Sequence, residues 1–322
     1  MSRFLKVFLR DPLGGRIHIA GFGKHPAWDD HIDDIGLATE TLVLTKKLLY
    51  SEGIASQLAS GAWDQIEKSG QAIEFDHRFI WGREQQAIVG AIWASADRKG
   101  RTRFPMVICV QAGFDGHRAI GILLAPVERL GMLCREAKTQ EKLRESLSQT
   151  YRELNGALFP ATAANLFSET IDPGENSILP ALITLSAGLR SQRPRSSGET
   201  GRSGRSHFRL TTISSHVKEN FSFWAGYLAR YYDPTLPYII IAANGRSWID
   251  LIVGEPLPGD FFCLRANEYA LPATWIGIEG AQLRKLEAEA KDYLQTFRHG
   301  TASTVKHPRT WWGGLFKPKL RD

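Results

Sequence analysis

Hydrophobic and polar positions alternate in the first well-patterned segment of the chain. In Arg16–Phe22 polar and apolar residues alternate before glycines, which predicts a strand that runs into a loop. Three further β-prone runs, at 79–81, 87–93 and 104–110, are separated by short polar connections. Because connections of that length favour antiparallel neighbours, these runs predict an antiparallel sheet.

Apolar residues recur at helical spacing in several other stretches. They predict helices over 39–59, from Pro126 to Leu154, over 217–231 and over 283–297. Two β-rich runs, 237–243 and 246–253, are joined by Asn244-Gly245. That pair tolerates positive φ at both corners of a tight turn, so it predicts a β-hairpin. A short strand is expected at 261–264.

Strands grouped with helices before and after them predict an α+β (α/β layered) fold, with a mainly antiparallel sheet flanked by helices, in two halves. We expect residues 1–160 to form the N-terminal half and residues 161–298 the C-terminal half. The second half contains a loop at 190–206 that is rich in arginine, serine and glycine and has no large apolar residue to bury. Residues 299–322 form an aromatic and basic tail.

Composition narrows the class of protein. The 322 residues are 43% hydrophobic and 23% charged, which is typical of a globular chain. No apolar run approaches the roughly 20 residues of a membrane-spanning helix, and the N-terminus lacks the apolar core of a signal peptide, so we expect a cytoplasmic protein. The three cysteines lie far apart in apolar segments, which argues against disulfides and a cysteine zinc site. The net charge of +6 is concentrated in the 190–206 loop, and we expect no nucleic-acid partner.

The densest polar cluster follows the first strand, within residues 21–34. Imidazole and carboxylate groups are common ligands of divalent metals, so His25, Asp29, Asp30 and His31 are candidate metal ligands. No defined metalloenzyme spacing accompanies them. The alternatives are a solvated acidic loop and a divalent-metal-dependent hydrolase that uses the His25–Asp34 loop, and both stay open.

A second charged segment, 97–103, carries four cationic residues directly before Phe104-Pro105. Such a segment suits an acidic partner or phosphate groups, and it is also typical of a charged turn between two strands. The chain contains no P-loop and no Gly-x-Ser-x-Gly element, so the sequence offers no complete catalytic constellation and no cofactor is expected.

Three short motifs follow one another along the chain. They are Gly21-Phe22-Gly23-Lys24-His25-Pro26 with Asp30 four residues later, Ser95-Ala96-Asp97-Arg98-Lys99-Gly100-Arg101 running into Phe104-Pro105, and Leu251-Ile252-Val253-Gly254-Glu255-Pro256-Leu257-Pro258. Together they resemble the TagF family of type VI secretion accessory proteins, over about residues 15–264. In that family a leucine is usual where His25 stands.

The resemblance implies a cytoplasmic, non-enzymatic regulator of a type VI-like secretion system. It also implies that the protein acts after translation, by contacting a forkhead-associated-domain scaffold protein or another component of the apparatus. Carried onto the matching motifs and the charged turn, the expected partner-binding residues are Lys24, Asp30, Asp97, Arg98, Arg101 and Arg103.

Overall fold

The computed structural model of the chain describes residues 16–83, 85–157, 175–191, 205–233 and 236–298. The tail at 299–322 and most of the 190–206 loop, both singled out in the sequence, lie outside these residues. The strands are β1 (His18–Gly23), β2 (Asp76–Arg83), β3 (Gln86–Trp93), β4 (Met106–Ala112), β5 (Ser206–Thr211), β6 (Tyr238–Ala243) and β7 (Trp248–Val253).

The helical elements include one π-helical and one 3-10 segment. They are α1 (Glu40–Thr45), the π-helical segment (Lys46–Ile54), α2 (Ala55–Ala59), α3 (Ala62–Lys68), α4 (Gly116–Glu136), α5 (Gln140–Gly156), α6 (Glu175–Ser191), α7 (Val217–Tyr231), the 3-10 segment (Pro258–Leu264) and α8 (Gly280–Arg298). Among the described residues no helix is both long and apolar enough to cross a membrane.

The strands form a single antiparallel sheet in the order β1-β4-β3-β2-β6-β7-β5. Strand β2 pairs with β6, so strands from both ends of the chain share this sheet. The predicted hairpin is confirmed as β6–β7, and Gly245 lies at φ 67° in its turn. The loop of this hairpin spans residues 244–247, two more than the two-residue turn expected from the sequence.

Helices cover the sheet on both faces. Side chains alternate across the strands, so Phe79 and Trp81 belong to one hydrophobic core while Ile80 belongs to the other. Residues of α4 to α8 pack in the core that contains Ile80, and residues of α1, the π-helical segment, α3 and the 3-10 segment pack in the other. The predicted α+β fold, an antiparallel sheet flanked by helices, is therefore confirmed.

Two predicted elements differ in the structure. The helix expected from Pro126 to Leu154 is two helices, because the chain is extended at Ala137 and Thr139, and the Thr139 side chain caps α5 by accepting a hydrogen bond from the Lys142 amide at 3.2 Å. Pro126 lies inside α4 rather than at its start. The strand expected at 261–264 is the end of the 3-10 segment.

One buried residue of β2 makes the fold sensitive to acid. His77 is 1% exposed, and neither ring nitrogen has a hydrogen-bond partner among the residues that the structure describes. Burial lowers the pKa of His77 to about 4, although the nearby carboxylates of Asp250 and Asp76 oppose the shift. The unfolded chain therefore takes up a proton below about pH 6.5, where folded His77 stays neutral, and stability falls with pH down to about 4.

We predict that His77→Leu flattens this pH dependence. Between pH 7 and pH 5 the His77 contribution to the free energy of unfolding should fall by about 2 kcal/mol in the parent protein, and the variant should lack that part of the loss. Urea denaturation at both pH values measures it. The control is His216→Gln, at an exposed histidine, which should leave the slope unchanged. An unaltered slope in His77→Leu would contradict the argument.

Candidate functional site

The acidic loop, residues 24–35, is held to the end of β1 by backbone hydrogen bonds. The amide of Ile32 donates to the carbonyl of Gly23 at 2.8 Å, and Gly21 and Ile35 exchange bonds of 2.9 and 3.1 Å. Gly23 lies at φ 116°, and a Cβ there would stand 2.3 Å from the Pro105 carbonyl oxygen. Only glycine permits this close approach, which brings the acidic loop against the segment before β4.

The charged turn, residues 97–103, is organised by its first residue. One carboxylate oxygen of Asp97, Oδ1, accepts hydrogen bonds from the amides of Lys99 and Arg101, both at 3.0 Å. The Gly100 amide donates to the Asp97 carbonyl at 2.9 Å, and Gly100 has φ 77°. Aspartate at the first turn position and glycine at the fourth is a favoured arrangement, so the local sequence explains the geometry of this turn.

A buried ion pair joins the acidic loop to the charged turn. The ammonium of Lys24 lies 2.6 Å from Asp97 Oδ2, and both side chains are almost fully buried. Arg101 donates from Nε to the same oxygen at 2.7 Å. Burial alone would raise the pKa of the Asp97 carboxyl, but the hydrogen bonds from Lys24 and Arg101 hold it below its ordinary value. Asp97 therefore stays ionised across the physiological pH range.

The six residues expected to bind a partner fall into two groups. Lys24 and Asp97 lie inside the protein, where they position other groups and present no surface. Asp30, Arg98, Arg101 and Arg103 are exposed. Arg98 donates to the Ala27 carbonyl at 2.7 Å, Arg101 lies 3.2 Å from Asp30, and Arg103 pairs with Asp64 of α3 at 2.8 Å.

Lys99, next to Arg98, was not among the expected residues. It is exposed, and its side chain makes no ion pair with any residue that the structure describes. The charged turn thus offers a lysine ammonium to solvent beside two guanidinium groups that are fixed by the acidic loop.

Each carboxylate of the acidic loop has a cationic side chain beside it. The pairs are Asp29 with Arg98 at 3.4 Å, Asp30 with Arg101 at 3.2 Å, Asp33 with Arg144 at 2.8 Å, and Asp34 with Lys46 at 2.5 Å. Arg144 lies on α5, 111 positions from Asp33, and Lys46 lies on the π-helical segment, 12 positions from Asp34. No sequence pattern marks these two cations, and their role was missed for that reason. Cationic side chains of the same chain therefore balance the negative charge of the loop.

His25 does not face the other candidate metal ligands. It is 1% exposed, its Nε2 lies 2.9 Å from the Cys134 carbonyl in the last turn of α4, and its Nδ1 accepts from the Ala27 amide at 3.2 Å. Both ring nitrogens are thus engaged, and burial lowers the pKa of His25, which keeps the ring neutral.

His31 remains at the surface and bonds to a neighbouring carboxylate, with Nδ1 3.0 Å from Asp30 Oδ1. Within the described ranges, one group of three metal-ligating side chains lies close together, and it is elsewhere: His207, Asp250 and Cys263. There the guanidinium of Arg209 binds both oxygens of Asp250 at 2.9 and 2.7 Å, so a fixed cation already takes the place of a metal ion.

A pocket of about 520 Å³ opens between the acidic loop, the π-helical segment and the end of the charged turn. The aromatic rings of His31, Tyr50 and Phe104 line it, and Asp34 and Lys46 lie at the same opening. None of the charge patterns in the sequence pointed to Tyr50, because its ring reaches this place through the packing of the π-helical segment on the sheet.

Comparison with known proteins yields little. No protein-family model matches the chain, and no curated protein is similar to it. Among solved structures, the crystal structure of PA0076 from Pseudomonas aeruginosa PAO1 is 16% identical with a TM-score of 0.35, over 81% of this chain and 100% of that one. Because this TM-score is low, nothing about the site follows from the similarity.

We predict that the buried pair stabilises the fold mainly through Asp97. Asp97→Ala leaves the Lys24 ammonium buried without its nearest carboxylate and removes the acceptor of two turn amides, so the thermal midpoint should fall by about 5–10 °C. Lys24→Met leaves Asp97 with Arg101 and the same amides and should cost less than half as much. Thermal unfolding followed by circular dichroism tests the order, and a more damaging Lys24→Met would contradict it.

We also predict that the acidic loop does not bind divalent cations tightly, because its carboxylates are paired with side chains. Titration calorimetry with Zn²⁺, Ca²⁺ or Mg²⁺ should give dissociation constants weaker than roughly 1 mM. Elemental analysis should find the same metal content in the parent protein and in the Asp30→Ala/His31→Ala double variant. Stoichiometric metal that disappears in this variant would support the hydrolase hypothesis instead.

Proposed function

We propose that the protein is a TagF-like accessory regulator of a type VI-like secretion system, which acts without turnover by binding a forkhead-associated-domain scaffold or another component of the apparatus. The proposal places it on the cytoplasmic side of the membrane. The observation that carries it is the contact between two separate TagF-like motifs. Lys24 and Asp30 of the first motif bind Asp97 and Arg101 of the second.

This contact gives the resemblance a physical meaning. The motif residues are about seventy positions apart, and yet they meet at the same end of the sheet. The Lys24–Asp97 pair fixes the backbone of the charged turn, and Asp30 orients the guanidinium of Arg101. A rigid display of cations loses little conformational entropy when it binds, which suits recognition of another protein.

The chemistry of the described residues favours binding over catalysis. Burial raises the pKa of Cys109 and Cys134 to about 12, so both thiols stay protonated and unreactive. The carboxylates of the acidic loop are held in ion pairs and His25 is buried with both nitrogens engaged. The remaining accessible groups of the site are cations and aromatic rings, which are typical of a protein interface.

The partner surface should be acidic. Arg98, Lys99 and Arg101 expose positive charge on one turn, and a guanidinium group matches a carboxylate through two parallel hydrogen bonds. Charged groups at the rim of an interface mainly accelerate association and select partners, and they make binding sensitive to salt. We therefore expect the affinity for the scaffold to fall as ionic strength rises.

We predict that charge reversal on the turn weakens binding to the forkhead-associated-domain protein of the same secretion system. Lys99→Glu alters the charge without removing an ion pair seen in the structure, and it should reduce the affinity roughly tenfold. The Arg98→Glu/Lys99→Glu double variant should reduce it further. Biolayer interferometry with the purified scaffold protein at two salt concentrations measures both effects.

Arg129→Glu is the matched control, because Arg129 is an exposed arginine on α4 that pairs only weakly with Glu153, at 3.6 Å. It changes the net charge as Lys99→Glu does but lies outside the charged turn. Equal affinities of the parent, Lys99→Glu and the double variant, all folded, would remove the turn from the interface. Failure of the parent protein to bind any scaffold or baseplate component would refute the proposed function.

A further inference from the structure

The pocket beside the charged turn, which we call the anchor pocket, contains two aromatic groups, Tyr50 and His31, that bond to neighbouring residues. The Tyr50 hydroxyl donates to the Pro105 carbonyl at 3.3 Å, and burial raises the pKa of Tyr50, so it stays protonated. His31 bonds through Nδ1 to Asp30. Tyr50 is only 4% exposed, so the ring surface that an occupant meets comes from His31 and Phe104, beside the polar groups at the opening.

The three rings form a continuous aromatic wall. Their centroids lie 5.0 Å apart for His31 and Phe104, 5.5 Å for Tyr50 and Phe104, and 5.8 Å for His31 and Tyr50. His31 meets both other rings edge to face, whereas Tyr50 and Phe104 are tilted by 38°, and the three rings leave no gap for a cation between them. Instead, the wall can extend the same edge-to-face packing to one further ring.

The charges at the opening cancel. The Lys46 ammonium binds both oxygens of Asp34, at 2.6 and 2.5 Å, so neither an anion nor a cation is favoured there. A volume of about 520 Å³ lies within the range of pockets that bind ligands and large side chains. Size and neutrality together favour an uncharged, bulky group.

The helix that forms one side of the pocket has an unusual geometry. The π-helical segment runs for nine residues, although π geometry normally occurs as single turns that are frequently found at functional sites. Lys46 and Ser51, five residues apart in this segment, both line the pocket. Residues five apart share a face in π geometry, whereas the 3.6-residue turn of an α-helix would place them on different faces. The π geometry therefore shapes the pocket, and it provides an observation independent of the aromatic wall.

We propose that the anchor pocket receives an aromatic side chain of the protein partner, while the charged turn beside it contacts acidic residues around that side chain. The inference rests on the proposed function for the identity of the partner, and it specifies the chemistry of the contact. Interfaces commonly concentrate their binding energy in one aromatic residue that fills a pocket surrounded by polar contacts. Phe104, which follows the charged turn directly, joins the two parts of this surface.

The test is to fill the pocket with a bulky side chain of the protein's own chain. Ser51 is exposed and lines the pocket, so Ser51→Trp places an indole where the partner's ring would bind. Val43→Trp is the matched control, since Val43 is 49% exposed on α1 and does not line the pocket. Phe104→Ala, which removes part of the aromatic wall, is the second variant. It tests the pocket independently if Ser51→Trp does not fold.

Two measurements use the full chain. Saturation-transfer NMR with N-acetyltryptophanamide reports on the pocket alone, and titration with the forkhead-associated-domain protein reports on the interface. We expect Ser51→Trp and Phe104→Ala to lose the probe signal and to bind the partner at least tenfold more weakly. Val43→Trp should match the parent protein in both measurements. Probe binding that is absent from the parent, or equal in all variants, would overturn the inference.

The two proposals fail in different ways. If the parent binds the scaffold protein and Ser51→Trp binds it equally well, the anchor pocket is not part of the interface and the proposed function stands. If no scaffold component binds the parent, but the probe binds it and is lost in Ser51→Trp and Phe104→Ala, the proposed function fails and the pocket remains a site for aromatic groups.

Discussion

A charged carboxylate in the interior has to be matched by cations and hydrogen-bond donors, and Asp97 imposes this requirement on the whole site. It receives the Lys24 ammonium, the Arg101 guanidinium and two backbone amides. These contacts fix the charged turn and hold the acidic loop against the start of β4. They also leave Nη2 of Arg101 to contact the Asp30 carboxylate and the Asp29 carbonyl. The geometry of the exposed surface is therefore a consequence of a buried interaction.

The sheet explains why this surface lies where it does. Because helices cover both faces, the strands are almost entirely buried, and polar chemistry collects where strands end. Strands β1 and β3 end beside the start of β4, and the acidic loop and charged turn extend from that end. His25 binds a carbonyl in the last turn of α4, and Gln140 of α5 donates to the Ala27 carbonyl at 3.0 Å. The loops are thus fastened to the helical layer as well.

In the acidic loop, composition and tertiary structure suggest different roles for the same residues. Four aspartates and two histidines within ten residues are typical of a metal site, but each carboxylate is paired with a side chain from elsewhere and His25 serves as a buried cap for α4. The same ion pairs hold the loop, whose residues His31, Ile32 and Asp34 line one side of the anchor pocket. The negative charge of the loop is thus balanced by cationic side chains that also hold its backbone in place.

The sequence by itself determined the elements that depend on local rules: the alternation of β1, the apolar strands β2 to β4, the Asn244-Gly245 hairpin and the amphipathic α8. It also singled out residues 21–30 and 95–105 as separate motifs of a family resemblance. Only the tertiary structure decided that Lys24 meets Asp97 across 73 positions, that Arg144 neutralises Asp33 across 111, and that Lys24 and Asp97 are hidden while Arg98 and Lys99 are exposed. The physical reason is that local propensity depends on neighbours along the chain, whereas pairing and burial of charge depend on which elements pack together in space.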